Sequence, residues 1–166
     1  MEKEAKTSVF LTVTDSEAME HLGGIVARLL SPGDMVYLIG DLGAGKTTFV
    51  RGAARQLGYT GRVTSPTFTL MNQYCSEPPL VHLDFYRLES GAMMEDLGLD
   101  DYIHRDAILL IEWPQIGMEA LPEPTLEIEI NLTEEDYDLP RQVQLRIPKE
   151  KKEMIERLQA YAHTCH

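Results

Sequence analysis

A glycine-rich run, GDLGAGKTT at residues 40–48, directly follows an apolar segment, MVYLI. Glycine lets a backbone turn back on itself and aim its N–H groups inward, toward an anion. Gly40, Gly45, Lys46 and Thr47 fill the pattern G-x-x-x-x-G-K-[ST] without a gap, a spacing that holds a phosphate chain on backbone amides. In that pattern Lys46 brings a compact charge to the β- and γ-phosphates, and the Thr47 hydroxyl completes a magnesium shell. A helix starting near Gly45 adds its positive end. A turn that merely joined a strand to a helix would leave Lys46 and Thr47 together unexplained. The spacing predicts a nucleotide site.

Magnesium needs a carboxylate, and two buried apolar runs end in one: LVHLD in Asp84 and AILLIE in Glu112. Parallel strands converge on a ligand at their C-terminal ends, so both acids are expected to face the phosphates. One would hold the metal and the other orient the attacking water; the residues alone leave the assignment open. TSPTFT (64–69), rich in hydroxyls and held by Pro66, reads either as a γ-phosphate-sensing switch or as a plain turn into the next strand. Arg87 lies three places after Asp84, and the expectation is a surface ion pair or a phosphate contact. His82, inside an apolar strand, reads as a packed histidine. Trp113 follows Glu112 at the ligand end of its strand, which places it near the site.

The elements that must position these residues read as follows. SVFLTVT (8–14) alternates as a strand, and Thr14 with Glu17 fits a capping box. The helix they open puts Ala18, Leu22, Ile25, Val26 and Leu29 on one face, and SPGD ends it. MVYLIG (35–40) has the composition of a strand buried on both faces. The helix after the glycine loop turns Phe49, Val50, Ala53, Ala54 and Leu57 inward and stops at Gly58. Further strands are expected at 67–74, 80–86 and 107–113, with short helices in the segment between the last two. Residues 125–132 and 141–147 alternate strictly and read as an antiparallel pair. The expected architecture is a three-layer α/β sandwich of the P-loop NTPase type, a mostly parallel central sheet with antiparallel edge strands. Residues 1–148 would form the domain and 149–166 a C-terminal helical tail.

Composition narrows the function. With 166 residues the chain suits one core. No apolar run approaches the roughly 18 residues that span a bilayer, and MEKEAKTSVF lacks a secretory leader. Two cysteines 90 positions apart suggest neither a disulfide framework nor zinc, and fit a reducing cytoplasm. A net charge of −12 makes direct nucleic-acid binding unfavourable. Residues 119–138 hold eight acids and no base, a solvated edge or a docking surface for a basic partner. No N-K-x-D element is present to read guanine, so ATP is expected over GTP. An ABC-type signature and an Arg-rich kinase lid are also missing.

Taken together, GDLGAGKTTF, SPTFTL, HLDFYRL and IEWP resemble, in order and near-spacing, the TsaE (YjeE) family, bacterial ATPases of the tRNA threonylcarbamoyl-adenosine pathway. The resemblance runs over residues 8–147. It implies a small cytoplasmic P-loop ATPase that uses ATP/ADP and Mg2+. It also implies work beside TsaB-like and TsaD-like subunits, which modify tRNAs reading ANN codons, with tRNA met only indirectly. ATP turnover would reset that assembly. Carried onto this chain, Gly43, Ala44, Gly45, Lys46, Thr47 and Thr48 cradle the phosphates, while Thr47 and Glu112 hold magnesium. Asp84 activates or positions water, and Thr64, Ser65 and Thr67 form a mobile switch. Thr12 or Thr14 lies near adenine or ribose. The acidic 119–138 stretch and the tail after Pro148 depart from the family pattern. The competing readings are a small-molecule or nucleoside kinase, with Arg87 as phosphate clamp, and a non-catalytic nucleotide-gated module.

Overall fold

The computed structural model describes residues 5–88, 96, 98–103, 106–117, 119–133, 138 and 140–164. Its seven strands are β1 (Lys6–Val13), β2 (Met35–Ile39), β3 (Met71–Tyr74), β4 (Leu80–Asp84), β5 (Ile108–Glu112), β6 (Leu126–Leu132) and β7 (Arg141–Pro148). The helices are α1 (Ser16–Leu29), α2 (Lys46–Gln56), α3 (Leu99–Ile103) and α4 (Lys152–Thr164), with a 3-10 turn at Pro114–Ile116. The strands form one sheet in the order β1-β7-β6-β2-β5-β4-β3. Its centre, β6-β2-β5-β4, is parallel, and β1, β7 and β3 join antiparallel at the flanks. This is the expected mixed sheet.

The period of two sorts each central strand between two cores. Val36, Leu38, Leu80, Ile108 and Leu110 pack under α1, α2 and α4. Met35, Tyr37, Val81, Leu83, Leu109 and Ile111 meet Phe85, Leu88 and Leu99 of α3 on the other face. His82 and Asp84 share the parity of Leu80, and Glu112 that of Leu110. The polar groups of both strands therefore lie on the face that α2 covers.

Two local expectations are corrected and one is widened. The cap of α1 is Asp15, not Thr14: its Oδ1 accepts the Ala18 N–H at 2.8 Å, and Thr14 donates to its other oxygen at 3.2 Å. The buried stripe of α1 is Met19, Leu22, Gly23, Val26 and Ala27; the expected Leu22 and Val26 lie in it, and Ala18, Ile25 and Leu29 pack half-buried against the same core. Gly23 must face α2, because a Cβ there would lie 2.1 Å from the Phe49 carbonyl oxygen. The third strand begins at Met71 rather than 67. The Leu70 N–H closes a turn onto the Pro66 carbonyl at 2.6 Å, and Leu70 adopts φ 65, which breaks the extended run. Within the expected short helices, residues 89–95, 97 and 104–105 lie outside the described residues, as do 134–137 of the acidic stretch and Cys165 of the tail.

Candidate functional site

The loop between β2 and α2 contrasts with the start of α1. Helix α1 carries its own cap in Asp15 and an acid, Glu17, in its first turn. Helix α2 has neither: its N-cap is Gly45 at φ 113, with no side-chain cap and no acid in the first turn. Its first N–H groups and its positive end are left to an external anion. Gly45 is needed there because a side chain at that φ is strained.

Lys46 is only 5% exposed. Its Nζ donates to the carbonyls of Gly40 and Asp41 at 2.5 and 2.9 Å and sits 4.9 Å from the centre of the Trp113 ring. Burial pushes its pKa down, against the pull of Glu112, Asp84 and Asp41, which favour the charge.

Asp84 and Glu112 are register partners on the parallel pair β4–β5. They are 2% and 3% exposed. Glu112 Oε1 faces the Thr47 hydroxyl at 3.5 Å and the Nε2 of fully buried His82 at 3.0 Å. A carboxylate only accepts, so Nε2 carries the hydrogen of that bond. Nδ1 of His82 has no hydrogen-bond partner among the described residues. Asp84 accepts from the Thr67 hydroxyl and the Tyr86 N–H, each at 2.9 Å. Burial raises its pKa above the ordinary aspartate range, with the nearby Glu112 charge adding to the rise; the two hydrogen bonds and His82 oppose it.

These groups line a cavity of about 320 Å³ that brings Gly43, Lys46, Thr47, Ser65, Asp84 and Glu112 together. Gly45, Thr48 and Thr67 border it as well. In the hydroxyl-rich segment, Ser65 and Thr67 share a hydrogen bond of 2.7 Å, so Asp84 ties the segment to the cavity through Thr67. Thr64 turns elsewhere: its carbonyl accepts from Asn72 and the Tyr74 hydroxyl. Trp113, at φ 54, lies between Lys46 and Tyr86, whose ring centre is 5.0 Å away. Arg87 stacks on the exposed Phe68 at 4.1 Å and does not line the cavity.

A second cavity, also about 320 Å³, adjoins the first through Gly43, Gly45 and Thr48 and reaches Ala44. Thr14, Asp15, Met19 and Arg141 form its far side. Thr12 is outside it, exposed on β1 and bonded to Gln142. Of the two threonines the resemblance offered, the structure brings Thr14 to the loop. Sequence reasoning missed three residues here. Asp15 and Met19 gave a signal, the true cap position and one turn beyond it. Arg141, whose Nε donates to the Ala44 carbonyl at 3.2 Å from 97 positions away, gave none.

Comparison with known proteins reveals a kinship. The profile of the family "Threonylcarbamoyl adenosine biosynthesis protein TsaE" matches residues 13–143. A relative from Bacillus subtilis, a tRNA threonylcarbamoyladenosine biosynthesis protein TsaE, is 44% identical over 121 residues, 72% of this chain and 75% of that one. One of the same name from Streptomyces coelicolor is 46% identical over 117 residues, 68% of this chain and 78% of that one. The crystal structure of Bacillus subtilis YdiB superposes with a TM-score of 0.79 at 32% identity, over 96% of this chain and 99% of that one.

Proposed function

This chain belongs to the TsaE family, and on that premise we propose that it is an ATP-hydrolysing subunit of tRNA threonylcarbamoyladenosine biosynthesis. ATP would lie with its phosphates on the 43–48 loop and its nucleoside toward Thr14, Asp15, Met19 and Arg141. The single observation that carries the reading is the cavity itself. An uncapped helix start, a buried lysine and two buried carboxylates converge on one space.

The residues fit magnesium. The Thr47 hydroxyl and Glu112 face each other at 3.5 Å, a long contact between two hard oxygen ligands. No trio of His, Cys, Asp and Glu forms a metal cluster among the described residues, which suits an ion that takes the rest of its shell from phosphates and water. Bound there, it would neutralise charge on the β- and γ-phosphates.

The chain's own groups do the rest. Lys46 meets charge developing on the phosphate oxygens. Asp84, its affinity for a proton raised by burial, accepts the hydrogen of the attacking water or aligns it. Water oxygen bonds to the γ-phosphorus, the β–γ bridging bond breaks, and its electrons leave with ADP. Thr67 links Asp84 to the 64–67 segment, which supports the role of that segment as switch. TsaB-like and TsaD-like subunits are the proposed partners, with tRNA reached only through them and the cytoplasm as the setting. No helix among the described residues is long and apolar enough to cross a membrane.

The test is phosphate release from ATP and magnesium, by the chain alone and with purified TsaB-like and TsaD-like subunits. Lys46→Ala is expected to stay folded and lose turnover. Full turnover by that variant would sink the assignment. Transfer of phosphate to an added metabolite would instead favour a kinase.

A further inference from the structure

We propose that a cleft beside the phosphate loop receives a carboxylate-rich segment of a protein partner, gripped by Arg51, Arg55 and Arg62. The spacing of four puts Arg51 and Arg55 on one side of α2, a turn apart. The chain then leaves the helix and returns Arg62 to the same place, so that the three arginines line one open cleft of about 480 Å³. In a chain with 27 acids against 15 lysines and arginines, this is an unusual concentration of positive charge.

Glu20 of α1, outside the cleft, shows how two of these arginines meet a carboxylate. It accepts from Nη1 of Arg51 at 3.1 Å and from Nη1 of Arg55. One carboxylate thus answers two guanidinium groups, each with five N–H donors in a planar fork. Arg62 makes no ion pair among the described residues and is exposed. Glu20 takes one Nη1 from each of Arg51 and Arg55, which leaves their other N–H donors and the whole of Arg62 for a carboxylate in the cleft. Nucleic acid fits less well. No aromatic side chain lines the cleft to stack a base. A phosphate backbone also needs many contacts, and a chain of net charge −12 opposes them. A short acidic peptide needs only two or three, at a range where salt screens the rest of the surface.

The cleft shares Thr47 and Ser65 with the nucleotide cavity. Docking would therefore sense what fills that cavity, a consequence that rests on the nucleotide reading.

The experiment is an NMR titration of the labelled full chain with a hexaglutamate peptide, following arginine Nε–H signals and the amides of 61–65. Saturable shifts at Arg51, Arg55 and Arg62 are expected, weakened about tenfold by Arg62→Glu and mostly kept by Arg62→Lys. Hexauridylate should leave these signals in place. Shifts elsewhere, none that saturate, indifference to Arg62→Glu, or tighter binding of hexauridylate would overturn the proposal. Magnesium and ATP, added separately, report on the amides of 43–48. Silence there would count against the nucleotide reading alone.

Discussion

The ammonium of Lys46 rests on two carbonyls of its own loop and over the Trp113 ring, so a phosphate arriving there would meet a charge already aimed and desolvated. On the proposed roles the two carboxylates around it would divide the work, and their variants should separate. Glu112→Gln should weaken ATP affinity where magnesium is limiting, because a neutral amide is a poor ligand for a hard cation. Asp84→Asn should spare affinity and slow turnover by about 100-fold or more. Nucleotide titrations and single-turnover rates distinguish the two, and the reverse outcome would swap their roles. His82→Leu should lower stability by roughly 1–3 kcal/mol, because it strips a buried carboxylate of its donor. It should also raise the magnesium needed for ATP binding, which a purely structural histidine would not do. Lys46, Thr47, Asp84 and Glu112 were legible in the sequence because a gapless motif and two strand ends mark them. His82 was read as packing, since its partner belongs to another strand and only the β4–β5 register joins them.

Helices α1 and α2 cross at unusually close range, and two glycines permit it. A Cβ on Gly52 would lie 1.8 Å from the Glu20 carbonyl oxygen, a contact that only backbone movement relieves. Gly52→Ala should therefore cost about 3 kcal/mol, read as a drop in the denaturant midpoint, despite alanine's better helix propensity. Neither glycine stood out in the sequence, since nothing in one helix announces how near another will come. At the flank of the sheet, Arg146 on β7 pairs with Glu129 on β6. Its hydrogen bond holds the Glu129 carboxyl below the ordinary value of 4.5. That contribution is present above the ordinary value and is lost as pH falls through the lower, folded one. Arg146→Met should cost about 0.5 kcal/mol near neutral pH, the pair being partly exposed, and the gap to the parent should close in acid. Urea midpoints at both pH values check this. The strands themselves were legible through alternation and apolar runs. The exception was 67–70, where a hydroxyl drawn to Asp84 and a left-handed leucine override the pattern.

Across the whole molecule, α4 is part of the core rather than an appendage. Met154 and Leu158 join the cluster under α1 and α2, and the Lys149 N–H reaches back to the Ala5 carbonyl at 3.2 Å. Leu158→Ala should destabilise the entire chain by about 2–4 kcal/mol in a single cooperative transition, seen alike by circular dichroism and by Trp113 fluorescence. A helical tail over 149–166 was readable, but the face it would cover was not, because β1 lies at the opposite end of the sequence. The start of α2 bears on this same global stability. A helix capped by glycine forgoes only a few tenths of a kcal/mol against a side-chain cap, but its open N–H groups leave room for an anion on the loop to add more. A ligand present at about 100 times its Kd adds roughly 2.7 kcal/mol to the folded state, a large share of a typical domain's 5–15 kcal/mol. Resistance to proteases would then follow the nucleotide supply. A starved cell would clear this protein faster than a well-fed one, with no dedicated degradation signal.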